Sequence, residues 1–353
     1  MQIIHVSDLH LGSRLTSLPI GNIRENRKNE ILKSFNRLID YAKEHNIKII
    51  MLAGDVFDSD RPYKKDKSFF YDSVKANKEI TFLYLRGNHD IEESLVENLD
   101  NLKTFNNEWI TYSFEGVSIS GIELSSNNKT SLYSSLSLNE NCLNIVMMHG
   151  DVNTKGKEFI DLKKLSNKNI DYLALGHIHA YKEFIIDKRG IAIYPGCLDG
   201  RGFDELDEKG FVVLDIDNNT IKHKFIPFSS RVIVEKRIDI SNALNLYEAK
   251  NLIQNELSSI DSSSLVKIIL TGKVDFEIGN IEETIHSFFA DNFFYLKVYN
   301  ELKKTINIDD YKNDFSLKGE FVRNISSNSN LTAEEKEELL NIGMKLLNGE
   351  DIE

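Results

Sequence analysis

The sequence predicts an α/β fold with a largely parallel central sheet, followed by a second, smaller α/β unit. Short apolar runs alternate with amphipathic stretches over the first 90 residues, joined by short links. The run Ile49-Ile-Met-Leu-Ala53 leads straight into Gly54 and Asp55, as in a buried strand that delivers a carboxylate. Four further apolar runs also end in residues able to hold a metal.

Taken in order, residues 2–7 read as a first strand, followed at once by Asp8-Leu-His10. Residues 24–45 carry Ile31, Leu32, Phe35, Leu38, Ile39 and Ala42 at helical spacing, with charge on the opposite face. Residues 47–53 form a second strand, 64–78 a helix and 80–85 a third strand that precedes Asn88-His89-Asp90. A hairpin is expected over 109–122, turning at Glu115-Gly116. Residues 143–148 then deliver His149, and 172–175 deliver His177 and His179. Segments 184–186, 191–194 and 211–216 read as a β-meander.

The pattern restarts near Pro227–Arg231. Strands are expected at 232–240, 265–270 and 293–299, with helices at 242–260 and 281–290. Two helices follow, near 314–325 and 332–347, the second opened by a capping box of Thr332 and Glu335.

Composition narrows the function classes. A chain of 353 residues is long enough for a sizeable core plus a second unit, and 41% hydrophobic and 28% charged residues are ordinary for a globular protein. A net charge of −12 argues against coating nucleic acid by charge alone, but not against a nucleic-acid enzyme whose ions supply local positive charge. Residues 231–353 hold 14 Lys and Arg against 22 Asp and Glu, so most of that charge lies there. Cys142 and Cys197, the only cysteines, form neither a disulfide framework nor a zinc motif, which points to a reducing cytoplasm. The first residues lack a signal-peptide pattern, and no apolar run reaches membrane-spanning length, so no membrane association is expected.

Asp8 with His10, Asp55, Asn88 with His89, His149, and His177 with His179 account for five of the nine histidines. At the carboxyl ends of strands such groups can converge on one crevice although they span some 170 positions. Residues two apart on extended backbone face one side, so each i, i+2 pair can address one site. Neighbours such as Asn88 and His89 diverge, leaving one to ligate and one to face substrate. Mixed Asp, Asn and His donors without sulfur suit Mn²⁺, Fe or Zn²⁺ better than a pure Ca²⁺ cage. A lone histidine on an apolar face is ordinarily a core residue, and His5, His45, His223 and His286 are read that way.

The ordered motifs DLH, GDVFD, GNHD, MHGD and GHIH resemble the calcineurin-like metallophosphoesterase superfamily over residues 3–200. LAGDVFDSDRP, LRGNHD, LALGHIH and YPGCLDGRGFDELDEKGF further resemble the nuclease subunit of DNA-repair exonucleases of the SbcD type. The tail, with IILTGKV, LKGEFV and GMKLLNGEDIE, is similar to the YhaO branch. This resemblance implies a two-layered β-sandwich with flanking helices (α/β/β/α), a smaller α/β cap and C-terminal helices. It places the nuclease domain at 1–228, the cap at 229–305 and a helical segment at 306–353.

It also implies roles. Asp8, His10, Asp55 and His179 would hold one ion, and Asp55, Asn88, His149 and His177 a second, with Asp55 bridging. Mn²⁺ is the first choice, with Mg²⁺, Fe or Zn²⁺ as alternatives. His89 would protonate the leaving oxygen or stabilise charge, and Asp90 would orient His89. Arg14 and Arg201 would contact substrate phosphate. DNA would be the substrate, an SbcC-like coiled-coil ATPase the partner, and a homodimer one assembly open to it. Archaeal and eukaryotic members carry His three positions after the bridging Asp, where this chain has Asp58, so that histidine's function does not transfer.

The expected function is therefore a Mn²⁺-dependent DNA exonuclease or endonuclease of DNA repair. The alternative is the same chemistry on a small phosphodiester, nucleotide or phosphoprotein. From another class comes a regulatory subunit with a vestigial site, whose last helix docks a partner through Leu339, Leu340, Met344, Leu346 and Leu347.

Overall fold

The computed structural model describes all residues except 60, 91–96, 126–127, 129–130, 218, 277–278, 305, 348 and 350–353. The extreme C-terminal residues of the expected 306–353 segment thus lie outside the described residues. The chain divides into two compact units, Met1–Ile233 and Val234–Glu353.

The first unit runs β1 (Gln2–Val6), α1 (Asn22–Glu44), β2 (Ile49–Ala53), α2 (Lys64–Ala76), β3 (Thr81–Leu85), β4 (Leu102–Thr104), β5 (Ile110–Phe114) and β6 (Val117–Gly121). It continues with β7 (Leu143–His149), α3 (Leu162–Leu165), β8 (Tyr172–Gly176), β9 (Lys182–Ile185), β10 (Ile191–Tyr194), β11 (Gly210–Asp217) and β12 (Thr220–Pro227). These strands build two six-stranded sheets, in the orders β12-β11-β1-β2-β3-β4 and β5-β6-β7-β8-β10-β9. Within them β1-β2-β3-β4 and β6-β7-β8-β10 pair in parallel, and antiparallel strands form every edge except that of β4.

Side-chain alternation explains why the central strands read as unbroken apolar runs. In β1 and β2, Ile3, Ile49, Met51 and Ala53 face the layer between the sheets, where they meet Ile145, Met147, Tyr172 and Ala174. Their neighbours Ile4, Val6, Ile50 and Leu52 face the other way, onto Phe35 and Leu38 of α1 and Phe70 and Val74 of α2. Both faces are therefore buried, as in other parallel sheets. Fully burying a side chain such as Phe35 contributes about 1.5–3 kcal/mol. The outer face of the second sheet, with Val146, Met148, Leu173 and Leu175, is covered by Leu132, Leu136, Ile160 and the single-turn α3.

The expected meander does not form. The strands containing 184–185 and 191–194 lie in the second sheet, whereas β11 crosses to the first and pairs antiparallel with β1, Gln2 opposite Asp215. Five consecutive residues of β11, Gly210 to Leu214, are buried, and this fits its place between β1 and β12 rather than at an edge. β12 carries Lys222 and Lys224 among half-buried residues, charges that protect an edge strand from further pairing.

The second unit contains β13 (Ile233–Asp239), α4 (Leu246–Leu257), β14 (Leu265–Thr271), β15 (Lys273–Val274), α5 (Ile281–Phe289), β16 (Tyr295–Asn300), β17 (Lys303–Lys304), α6 (Leu317–Ser327) and α7 (Ala333–Leu347). Its main sheet has the order β13-β14-β16. Ala249, Ile253 and Leu257 of α4 and Ile281, Ile285 and Phe289 of α5 share a core with Val266, Ile268 and Leu270. The capping box precedes α7: Glu335 N–H donates to Thr332 Oγ1 at 3.2 Å, and Thr332 N–H donates to Glu335 Oε2 at 2.7 Å. Among the described residues no helix is long and apolar enough to cross a membrane.

Candidate metal centre

The five strand ends come from two sheets. β1, β2 and β3 of the first deliver Asp8 with His10, Asp55, and Asn88 with His89; β7 and β8 of the second deliver His149, and His177 with His179. The loops after β1 and β2 run together, with Asp8 N–H donating to Gly54 O at 3.0 Å and His10 N–H to Asp55 O at 3.0 Å.

The pairs converge for a reason other than strand alternation. Asp8 (φ 54°), His10 (φ 44°) and Asp55 (φ 51°) adopt left-handed backbone, and His177 has φ 111°. Such conformations cost about 1–3 kcal/mol each and persist only where the surroundings impose them. Extended geometry, expected from the i, i+2 spacing, is thus replaced by strained turns that bend the side chains inward.

One ligand atom each from Asp8, His10 and His179 lie within 4.8 Å of one another, as do atoms of Asp8, Asp55 and His149. His10 Nε2 is 3.1 Å from His179 Nε2 and 3.9 Å from Asp55 Oδ2. On the other side Asp55 Oδ2 is 3.4 Å from His149 Nε2. Asn88 Oδ1 lies 3.1 Å from His149 Nε2 and 3.2 Å from His177 Nδ1. Asp55 therefore stands between two donor groups, one of Asp8, His10 and His179, the other of Asn88, His149 and His177.

The outward nitrogens fix the tautomers. His149 Nδ1–H donates to Ala53 O at 2.9 Å, and His179 Nδ1–H donates to Glu205 Oε1 at 2.7 Å, since a carbonyl or carboxylate can only accept. In the neutral rings both Nε2 lone pairs then point inward, that of His149 at Asp55 and Asn88 and that of His179 at His10 and Asp8. Converging lone pairs without protons between them repel, and divalent cations are what this donor set fits.

Electrostatics agree. Burial opposes charge on His149, yet the Asp55 carboxylate beside it pushes its pKa up to about 9. Burial would likewise raise the Asp55 carboxyl, but His149 and His10 hold it well below the usual range. In the metal-free protein a proton on His149 thus partly takes a cation's place, and metal must displace it. Below pH 9 we expect metal affinity to rise at least about tenfold per pH unit, with one proton released from His149 on loading and a second from His179 once the pH is low enough to protonate that ring, which Glu205 and Asp8 favour against its burial. Calorimetry in buffers of different ionisation enthalpy measures these protons directly.

Glycine makes room for this packing at Gly54. Its φ is 95°, and an added Cβ would sit 2.1 Å from His149 Nδ1. Gly54→Ala is expected to push His149 off Ala53 O and to weaken the His149 group selectively. Metal titration of the folded variant checks this, and unaltered binding would show that the loop gives way.

The remaining expected residues fall as follows. His89 is exposed, its ring centroid 5.3 Å from that of His10, while its backbone N–H donates to Asp55 Oδ1 at 2.9 Å. Asp90 does not orient His89. It is fully buried and its carboxylate accepts from the N–H groups of Val56, Phe57 and Gly87 at 2.8, 2.9 and 3.5 Å, joining the β2 and β3 loops. Burial and the nearby Asp55 raise its pKa to about 6. Arg14 is exposed, on the loop beyond Gly12. The Arg201 guanidinium is engaged by Glu205 and Asp58. His5 is a core residue, bonded to Tyr172 Oη and Leu175 O across the two sheets, and burial lowers its pKa to about 3.

Two contributors escaped the sequence reading. Glu205 holds His179, and Ser7 Oγ donates to Asp8 Oδ2 at 2.5 Å. Glu205 lies within the family-like stretch after β10, but nothing in its local pattern marks it as a partner of a histidine 26 residues earlier.

The family model for calcineurin-like phosphoesterases matches residues 1–181, about half of the chain and every strand end above. The chain belongs to the calcineurin-like phosphoesterase family. Its relatives include DNA double-strand break repair proteins Mre11. That of Sulfolobus acidocaldarius is 25% identical over 263 residues, covering 68% of this chain and 67% of the relative. That of Sulfurisphaera tokodaii is 26% identical over 299 residues, covering 77% and 74%. The uncharacterized metallophosphoesterase YhaO of Bacillus subtilis is 26% identical over 303 residues, covering 77% and 72%.

Proposed function

We propose that this phosphoesterase is a dinuclear-metal DNA phosphodiesterase, with Mn²⁺ as the working ion, acting as a nuclease in DNA repair. The observation that carries this is the placement of Asp55 Oδ2 between two His-containing donor groups, supported by the Mre11 relatives. Asp8, His10, Asp55 and His179 would hold one ion, and Asp55, Asn88, His149 and His177 the other. When bound, such a pair supplies an activated water and neutralises charge on the phosphoryl group.

The chain's own residues do the rest. The exposed His89 ring, beside His10, donates a proton to the departing oxygen. Asp90 keeps that loop in place from beneath through three backbone N–H groups. The buried Asp8 and Asp55 keep the centre dry on one side, while Asn88, His89, His177 and His179 leave the other open to substrate. Arg14 is the proposed phosphate contact. Segment 229–305 is proposed as the cap that positions the strand, and the helical segment 306–353 as the dock for a coiled-coil ATPase.

The purified chain with Mn²⁺ should degrade linear or single-stranded DNA, and His89→Ala should lose about 10²–10⁴ in kcat while still binding metal. DNA left intact by the wild type, as by Asp55→Ala, would refute the substrate assignment. The net charge of −12 favours a second reading, in which the same centre acts on a small phosphodiester. A cavity of about 390 Å³ beside Asn88 and His149, lined by the Arg86–Glu123 ion pair and Glu158, has room for a compact substrate. Turnover of bis-p-nitrophenyl phosphate or cyclic nucleotides without DNA cleavage would select it.

A further inference from the structure

The residues behind the first donor group close a ring. His10 Nδ1 lies 3.3 Å from Asp58 Oδ1, off the line of a hydrogen bond but with the carboxylate facing the ring nitrogen. Asp58 Oδ1 accepts from Arg201 Nη1 at 2.6 Å. Arg201 Nε and Nη2 donate to Glu205 Oε1 at 2.9 and 2.6 Å, and Arg201 N–H donates to Glu205 Oε2 at 2.7 Å. Glu205 Oε1 accepts from His179 Nδ1 at 2.7 Å, and His179 Nε2 returns to within 3.1 Å of His10 Nε2. Each imidazole thus has a carboxylate behind it, and one guanidinium joins the two carboxylates.

The second donor group is held differently. His149 leans on a backbone carbonyl, and its inward contacts are to Asp55 and Asn88. A carboxylate thus stands behind each imidazole of the first group, whereas main chain stands behind His149; Asp8 touches the second group through the His177 N–H at 3.1 Å, but Arg201 contacts only the carboxylates and His179 of the first.

We propose that Arg201 is a positioning residue that sets metal affinity at the Asp8–His10–His179 group alone, by fixing both imidazoles through Asp58 and Glu205. This rests on those residues being metal ligands. Only a planar, forked cation can span two carboxylates at these angles; the point charge of lysine serves one of them. Asp58 is what allows the arrangement, because its Oδ1 stands between Arg201 Nη1 at 2.6 Å and His10 Nδ1 at 3.3 Å.

The test is a Mn²⁺ titration of the metal-free full chain, by calorimetry and electron paramagnetic resonance. His179→Ala and His149→Ala assign the two binding phases. In Arg201→Lys and Arg201→Gln the first phase should weaken by about 10–100-fold, with the second unchanged. Asp58→Asn should do the same, and Asp58→Asn/Arg201→Gln should fall short of the product of the single losses, since both cut one ring. Thermal melts of the metal-free variants run alongside. Equal weakening of both phases, in step with lost stability, would reduce Arg201 to a structural role and overturn the proposal. So would an unaltered first phase in Arg201→Lys. A wild type that binds no Mn²⁺ would instead bring down the metal reading on which the proposal rests.

Discussion

Asp55→Asn is expected to lose both ions together. Its Oδ2 is the one carboxylate atom facing His10 on one side and His149 on the other. Removing the charge takes away the carboxylate that lies against both His10 and His149 and leaves Asp8 as the remaining anionic donor of the cluster. Each affinity should fall at least 100-fold, beyond the ~10–100-fold typical of losing an outer partner of a ligand. Phosphodiesterase turnover should vanish with it. His149→Ala and His179→Ala should each weaken mainly one ion. Titration of the three variants separates these outcomes, and equal, independent losses in all three would contradict a bridging role.

The largest effect on stability is expected at Arg27. Its side chain is fully buried and donates to Asp199 Oδ1 at 2.7 Å and to Glu30 Oε2 at 2.7 Å. A further bond reaches Gly200 O at 2.5 Å, and Glu30 is shared with Arg231. Arg27 thereby ties α1 to the 199–200 loop, directly before Arg201. Arg27→Ala strands Asp199, itself buried, with a single N–H donor from Ser230. Breaking a buried pair by removing one partner costs about 3–5 kcal/mol. Denaturant unfolding of the first unit measures it, and a loss under about 1 kcal/mol would mean that Asp199 finds water or another cation.

These two residues show what can and cannot be read in the chain. Asp55 was legible because its chemistry is local: a strand of five apolar residues ends in a glycine and a carboxylate, and four other strands also end in residues able to hold a metal. Helix α1 was legible for the same reason, since Ile31, Phe35, Leu38 and Ile39 face one core. Arg27 was not, because nothing in an amphipathic helix distinguishes a solvated arginine from one bonded to an aspartate 172 residues away. Arg201, read as a phosphate contact, is bound to Asp58 across 143 residues. Asp90 sits next to His89 in sequence, which suggested that it orients the ring, but the tight turn sends its carboxylate inward to Val56 and Phe57. Strand β11 looked like the end of a meander; its pairing with β1 is a register between the two extremes of the first unit. Motifs whose meaning lies within ten residues survive the passage from sequence to structure, whereas pairings set by tertiary approach do not announce themselves.

The most direct test of the central claim is anomalous diffraction at the manganese edge from crystals of the wild-type chain soaked in Mn²⁺. Two peaks about 3.5–4 Å apart are expected, one on each side of Asp55 Oδ2, the first beside His10 and His179 and the second beside Asn88, His149 and His177. A single peak, or two peaks that do not share Asp55, would contradict it.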